Sequence, residues 1–96
     1  MTEIVRMRYV EPVLAGVLKI GWADGHEAVV DLRPVFAVGP VFEFMRRDPA
    51  RFYDVRLTEH GNAVEWIDDE GDAVDLGTAS LRRRAEEQAD ILRRAG

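Results

Sequence analysis

The sequence predicts an α+β domain: a small antiparallel sheet built from hairpins, a short helical insertion in the middle, and an amphipathic helix at the C-terminal end. Three observations carry that prediction. Apolar and polar residues alternate with period two on either side of Gly-containing turn clusters, the pattern changes abruptly around Gly39-Pro40, and an apolar stripe with helical spacing follows Thr78. With 96 residues, 47% of them hydrophobic, the chain suits one core and one domain, 1–96, with the core spanning 4–77 and the helix 78–95.

From Ile4 to Tyr9, Val5, Met7 and Tyr9 alternate with Arg6 and Arg8, as in a strand with one buried face. The run Val13 to Trp22 places Leu18, Ile20 and Trp22 together and meets Ala23-Asp24-Gly25, where glycine can take the positive φ of a tight turn. Ala28, Val30 and Leu32 then form the return strand. Past Pro34 the spacing of Val35, Phe36, Val38, Val41, Phe42, Phe44 and Met45 fits short helical turns, with Pro40 at a first helical position. Asp48-Pro49 reads as an N-cap followed by a helix-opening proline. Val55–Thr58 and Ala63–Ile67 flank His60-Gly61-Asn62 as a second hairpin with Trp66 on its buried face, and Asp68–Asp72 leads to a further strand through Ala73, Val74 and Leu76.

In the terminal helix Thr78 or Ser80 can supply the cap, and Leu81, Ala85, Gln88, Leu92 and Ala95 share one stripe. Arg82/Glu86, Arg83/Glu87 and Asp90/Arg94 are spaced to pair one turn apart. The sequence shows no internal repeat, low-complexity tract or linker.

The chemistry available is narrow. There is no cysteine, hence no disulfide, thiolate ligand or cysteine nucleophile. His26 and His60 have no ligand-type neighbours at helical spacing, so both read as exposed turn residues, and no metal or other cofactor is expected. The acidic loop Asp68-Asp69-Glu70-Gly71-Asp72 lacks the spaced acids and terminal Glu of a calcium loop and reads as a solvated hairpin connection. No GxSxG, P-loop or dinucleotide glycine pattern is present, and the expectation is that the chain is not an enzyme. Asp31 and Asp75, each before a Leu at a strand end, read as carboxylates capping backbone N–H groups, and Trp22, Phe42, Phe52 and Trp66 as core. The acidic N-terminus and the lack of a membrane-length apolar run point to a cytoplasmic protein.

Charge is uneven. Residues 1 to 77 hold 8 basic and 15 acidic side chains, and residues 78 to 96 hold 5 and 3. An acidic body repels phosphate backbones and attracts a basic protein. Arg82-Arg83-Arg84 opposes the positive end of the helix dipole in the first turns of the terminal helix, so these arginines are candidates for contact with a partner or a second subunit.

Asp24-Gly25, Val30-Asp31-Leu32 with Pro34, Gly39-Pro40-Val41-Phe42, Asp48-Pro49, Phe52, Val55, Trp66 and Asp75-Leu76 occur in an order that resembles the bacterial domain-of-unknown-function family 2442, over roughly Ile4 to Leu81. The resemblance implies a small α+β domain with no established mechanism. It also implies an association with a second small domain of unknown function, family 4160, in toxin–antitoxin-like pairs, and in some members an appended helix-turn-helix. The acidic stretch Ile67 to Ala73 and the long terminal helix depart from the family pattern.

The function expected from these readings is a non-enzymatic protein-interaction module, the acidic, antitoxin-like partner of a small basic protein, with Arg82, Arg83, Arg84, Asp68, Asp69, Glu70 and Trp66 as the partner-binding residues. Homodimerisation is compatible with it. The alternatives are a DNA-associated regulator touching phosphates through Arg82–Arg84, Arg93 and Arg94, and a small-ligand-binding domain.

Overall fold

A computed structural model describes residues 5–95. Strands β1 (Met7–Leu14), β2 (Val17–Trp22) and β3 (Glu27–Asp31) form one antiparallel meander in that order. Helices α1 (Arg33–Phe36) and α2 (Glu43–Arg47) and a 3₁₀ segment, Pro49–Asp54, follow. Strands β4 (Arg56–Leu57), β5 (Ala63–Ile67) and β6 (Ala73–Gly77) form a second meander, and α3 (Thr78–Ala95) ends the chain. The α+β class and the hairpin construction are as expected, but the strands divide into two three-stranded sheets rather than one.

Three boundaries differ from the sequence reading for identifiable reasons. The long apolar run is interrupted at Ala15-Gly16, where Gly16 takes φ 89° and lets Leu14 pair with Val17, so Val13 belongs to β1 and not to the second strand. Pro40 lies ahead of α2 rather than inside it, with its carbonyl accepting from Glu43 N. Asp48 caps with its backbone carbonyl, which accepts from Arg51 N, and its side chain makes no cap bond. Ile4 and the side chain of Ala95 lie outside the described residues.

A repeat invisible as sequence identity organises the molecule. In the β2–β3 turn Trp22 N donates to His26 O and Gly25 N to Trp22 O, while in the β5–β6 turn Asp68 N donates to Asp72 O and Gly71 N to Asp68 O. Gly25 and Gly71 both have positive φ, 90° and 84°. Each is the αL residue that closes a short hairpin loop without a Cβ penalty. At the other end of each hairpin Leu32 N donates to Gly16 O, and Thr78 N to Asn62 O. Both hairpins run directly into a helix. Leu18 and Val64 occupy matching positions, as do Ile20 and Trp66, and all four are buried.

The two hairpin–helix units brace each other. Trp22 Nε1 of the first donates to Thr78 Oγ1 (2.9 Å) at the start of the helix of the second, and Trp66 Nε1 of the second donates to Phe52 O (2.9 Å) in the helical segment after the first. Phe36 meets Trp66 edge-on with ring centroids 5.4 Å apart. Thr78 is buried, its hydroxyl donating to Val5 O (2.8 Å) as it accepts from Trp22, and among the described residues no helix N–H bonds to the Thr78 or Ser80 hydroxyl as the expected cap. Leu18, Ile20, Val30, Leu32, Phe36, Phe44, Phe52, Val64, Trp66 and Leu81 make one continuous core. Phe42 packs against it half-buried, meeting Phe36 edge-on with ring centroids 4.8 Å apart.

Candidate functional site

Each three-stranded meander has two edge strands, β1 and β3 in the first and β4 and β6 in the second, and β3 and β6 are the two that lead into a helix. The ladder bonds alternate, so the turn bonds at 22/26 and 16/32 fix Ala28 and Val30 as the residues bonded to β2, leaving the N–H and C=O of Glu27, Val29 and Asp31 aimed outward. In β6 the bonds at 68/72 and 62/78 fix Val74 and Leu76 as the residues bonded to β5, leaving Ala73, Asp75 and Gly77 as the outward positions, with Gly77 the counterpart of Asp31.

The two edges are treated differently. Gln88 of α3 donates its Nε2–H to Asp31 O (2.9 Å) and accepts from Asp31 N at Oε1 (3.0 Å). A carboxamide in that position supplies the two bonds that a residue of a further strand would supply. Beyond Asp31 this edge is open: Glu27 and Val29 have no partner for their outward N–H and C=O groups among the described residues, Val29 is exposed, and a groove of about 520 Å³ separates them from Ala85, Ala89 and Leu92 of α3. On β6 neither Ala73 nor Asp75 has a partner for these groups among the described residues, and both are exposed. The sequence reading of Gln88 as a member of the apolar stripe located its face but missed its role.

Two grooves flank β6 on its inner side. The first, about 370 Å³, has an apolar wall of Val41, Phe44 and Val74 and carries Glu43 and Glu70 on its sides. The second, about 410 Å³, is floored by Leu32, Val35, Leu76 and Leu81, with Arg83, Arg84 and Glu87 at its rim. Val74 and Leu76 point inward yet remain half-exposed because nothing covers them from the edge side.

The residues singled out in the sequence separate into two groups. Glu70, Arg83 and Arg84 lie around the β6 grooves with Asp68 and Asp69, and Arg83 and Glu70 project freely. Asp69 is bound by Arg51 (Nη1–Oδ1 2.6 Å) and by Arg47, which hold its carboxyl below the usual range, Arg51 contributing most. Asp68 Oδ1 accepts from Glu70 N and Asp72 N, both at 2.9 Å, so its charge organises the turn. Arg82 is also engaged internally: its guanidinium lies 5.0 Å from the Trp22 ring centroid and pairs with Asp24 (3.1 Å) and Glu86 (3.4 Å). That bond to Arg82, and then the one from His26 N, lowers the Asp24 pKa.

Trp66 is corrected outright as a partner contact. Its ring is 1% exposed and its N–H is already bonded, because the inward register of β5 puts it in the core. Asp31 does cap Arg33 N (3.0 Å) and also pairs with the Arg33 side chain, which lowers its pKa. Asp75 caps nothing: it sits inside β6, exposed, opposite Glu65. Of the three helical ion pairs expected in α3, Arg82–Glu86 and Asp90–Arg94 form, while Arg83–Glu87 is not among the ion pairs of the described residues. The stripe also ends early. Leu81 and Ala85 are buried, but Leu92 is 73% exposed where α3 passes the edge of the sheet.

His26 packs 5.5 Å from the Trp22 ring, and His60 is exposed next to Glu59. Among the described residues no group of three His, Asp or Glu side chains converges as a metal site, and no helix is long and apolar enough to cross a membrane. Comparison with family models, with curated proteins and with solved structures found no match for this chain. The resemblance to family 2442 therefore rests on its spaced residues alone.

Proposed function

We propose that this chain is a non-enzymatic protein-interaction module whose partner is a basic protein. The observation that supports it best is the β6 edge, where the outward N–H and C=O groups of Ala73 and Asp75 have no partner among the described residues and lie beside the carboxylates of Glu43 and Glu70, likewise unpaired among those residues. Unpaired strand edges are templates for another chain, and folded proteins ordinarily blunt them. The surroundings favour a cationic partner: Glu70, Asp72, Asp75 and Glu43 border this edge or its first groove. A neutralising, antitoxin-like role is the form of this reading that the family resemblance implies.

The DNA-associated alternative draws on Arg82–Arg84, Arg93 and Arg94. It is less favoured because Arg82 is committed to Asp24 and Trp22, and Arg93 and Arg94 both pair with Asp90. The test is isolation of partners on the tagged full chain, then reconstitution with the purified candidate. The expected result is a stoichiometric complex with a basic protein that weakens as salt rises and fails when Glu43 and Glu70 are both changed to Lys. Recovery of nucleic acid alone, or a complex indifferent to both changes, overturns the reading.

A further inference from the structure

The edge and the grooves together specify more than a basic partner. We propose that β6 recognises its partner by strand addition, pairing the N–H and C=O groups of Ala73 and Asp75 with an extended segment that carries a Lys or Arg over Val74 and an apolar side chain over Leu76. This rests on the interaction reading above and names the site and the form of the ligand.

Side chains of an added strand that point inward are two residues apart, as Val74 and Leu76 are. The Val74 groove suits a long cationic side chain. Asp69 and Asp68 are occupied by Arg47, Arg51 and the turn, but the carboxylates of Glu43 and Glu70 have no partner among the described residues. An aliphatic stem can lie along Val41 and Val74 while its charged head reaches these acids. The Leu76 groove has an apolar floor and a rim of Arg83, Arg84 and Glu87 with a net positive charge, so it favours an aliphatic side chain over a second basic one. Strand-addition recognition divides in this way, with backbone bonds giving affinity and alternate side chains giving specificity.

A second copy of this chain fits poorly as the occupant. Antiparallel self-pairing centred on Asp75 sets two aspartates directly opposite each other, and moving the centre to Val74 brings each acidic turn toward that of the other copy. Like charges directly opposite across a ladder destabilise it. The β3 edge fits a cationic segment less well than β6, since Gln88 already occupies Asp31 and the acids of the groove beside Val29 are engaged, Glu27 by Tyr9 and Glu86 by Arg82, with Arg93 alongside.

The probe is a synthetic eleven-residue β-prone peptide with Lys and Leu two positions apart, followed by amide hydrogen exchange and NMR titration of the full chain. Binding slows exchange of the Ala73 and Asp75 amides by about tenfold or more, and substituting Glu for the Lys abolishes it. Ala73→Pro removes an outward N–H without touching the β5 ladder, so the variant keeps its fold and loses the peptide. N-methylation of the peptide's pairing amides, which leaves the protein unaltered, has the same effect. Absence of binding by the wild type, protection at Glu27 and Val29 instead, or equal binding by folded Ala73→Pro each overturns strand addition. If a basic protein still forms a salt-sensitive complex that Ala73→Pro does not disturb, the interaction reading stands and this one falls.

Discussion

The first and second hairpin–helix units share a turn geometry, a burial pattern and an immediate helix, yet they end differently. After β3 the chain spends residues 33–54 on three short helical segments that reach across to the second unit, where Arg47 and Arg51 hold Asp69 and Phe52 O accepts from Trp66. After β6 it makes one long helix that reaches back to the first unit, where Arg82 holds Asp24, Thr78 accepts from Trp22 and Gln88 bonds the outward N–H and C=O of Asp31. Short helices can anchor a turn and a tryptophan but do not extend far enough to finish an edge. The long helix thus caps one residue of the β3 edge, and no side chain among the described residues does the same for Ala73 or Asp75 of β6.

The matching core positions Trp66 and Ile20 test how closely the units correspond. Trp66→Ala should cost about 3–5 kcal/mol and Ile20→Ala about 2–5 kcal/mol in urea unfolding. Tryptophan should be the more costly because its bond to Phe52 O is lost as well. A loss below about 1 kcal/mol for Trp66→Ala would contradict its core role.

Gln88→Ala sharpens the contrast between edges. Two hydrogen bonds at roughly 0.5–1.5 kcal/mol each are lost, softened because Asp31 N and O become accessible to water. Amide exchange at Asp31 should accelerate toward the rates of Ala73 and Asp75, and the variant should self-associate more readily through β3. Unchanged exchange at Asp31 would mean that α3 protects β3 without the carboxamide.

The smallest effect concerns the two turn braces. Asp24 and Asp69 have folded-state pKa values below their unfolded ones, so each contributes stability that is present above the usual Asp range and lost as pH falls through it. Asp69→Asn should flatten the decline in unfolding midpoint below about pH 4, and more so than Asp24→Asn, because Asp69 is held by two arginines. Both braces are exposed, so the difference should shrink at high salt. Equal acid profiles for the two variants would remove the distinction between the braces.

Local pattern alone determined much of this protein. Period-two alternation located β2, β3, β5 and β6, Gly25 and Gly71 marked the turns, and the apolar spacing of Leu81 and Ala85 placed the buried face of α3, because these features depend on residues close in the chain. Arg83, Arg84 and Glu70 were legible as surface charges, because a charged side chain stays in or near solvent on folding, and the structure places them around the β6 grooves. What the chain did with Trp66, Arg82, Asp69 and Gln88 was decided only in three dimensions: their partners lie 14 to 58 residues away, or in a register set by a turn elsewhere. The repeat was hidden for the same reason. Ile20 and Trp66, or Leu32 and Thr78, fill equivalent positions without resembling each other, since packing constrains burial and backbone bonding more tightly than side-chain identity.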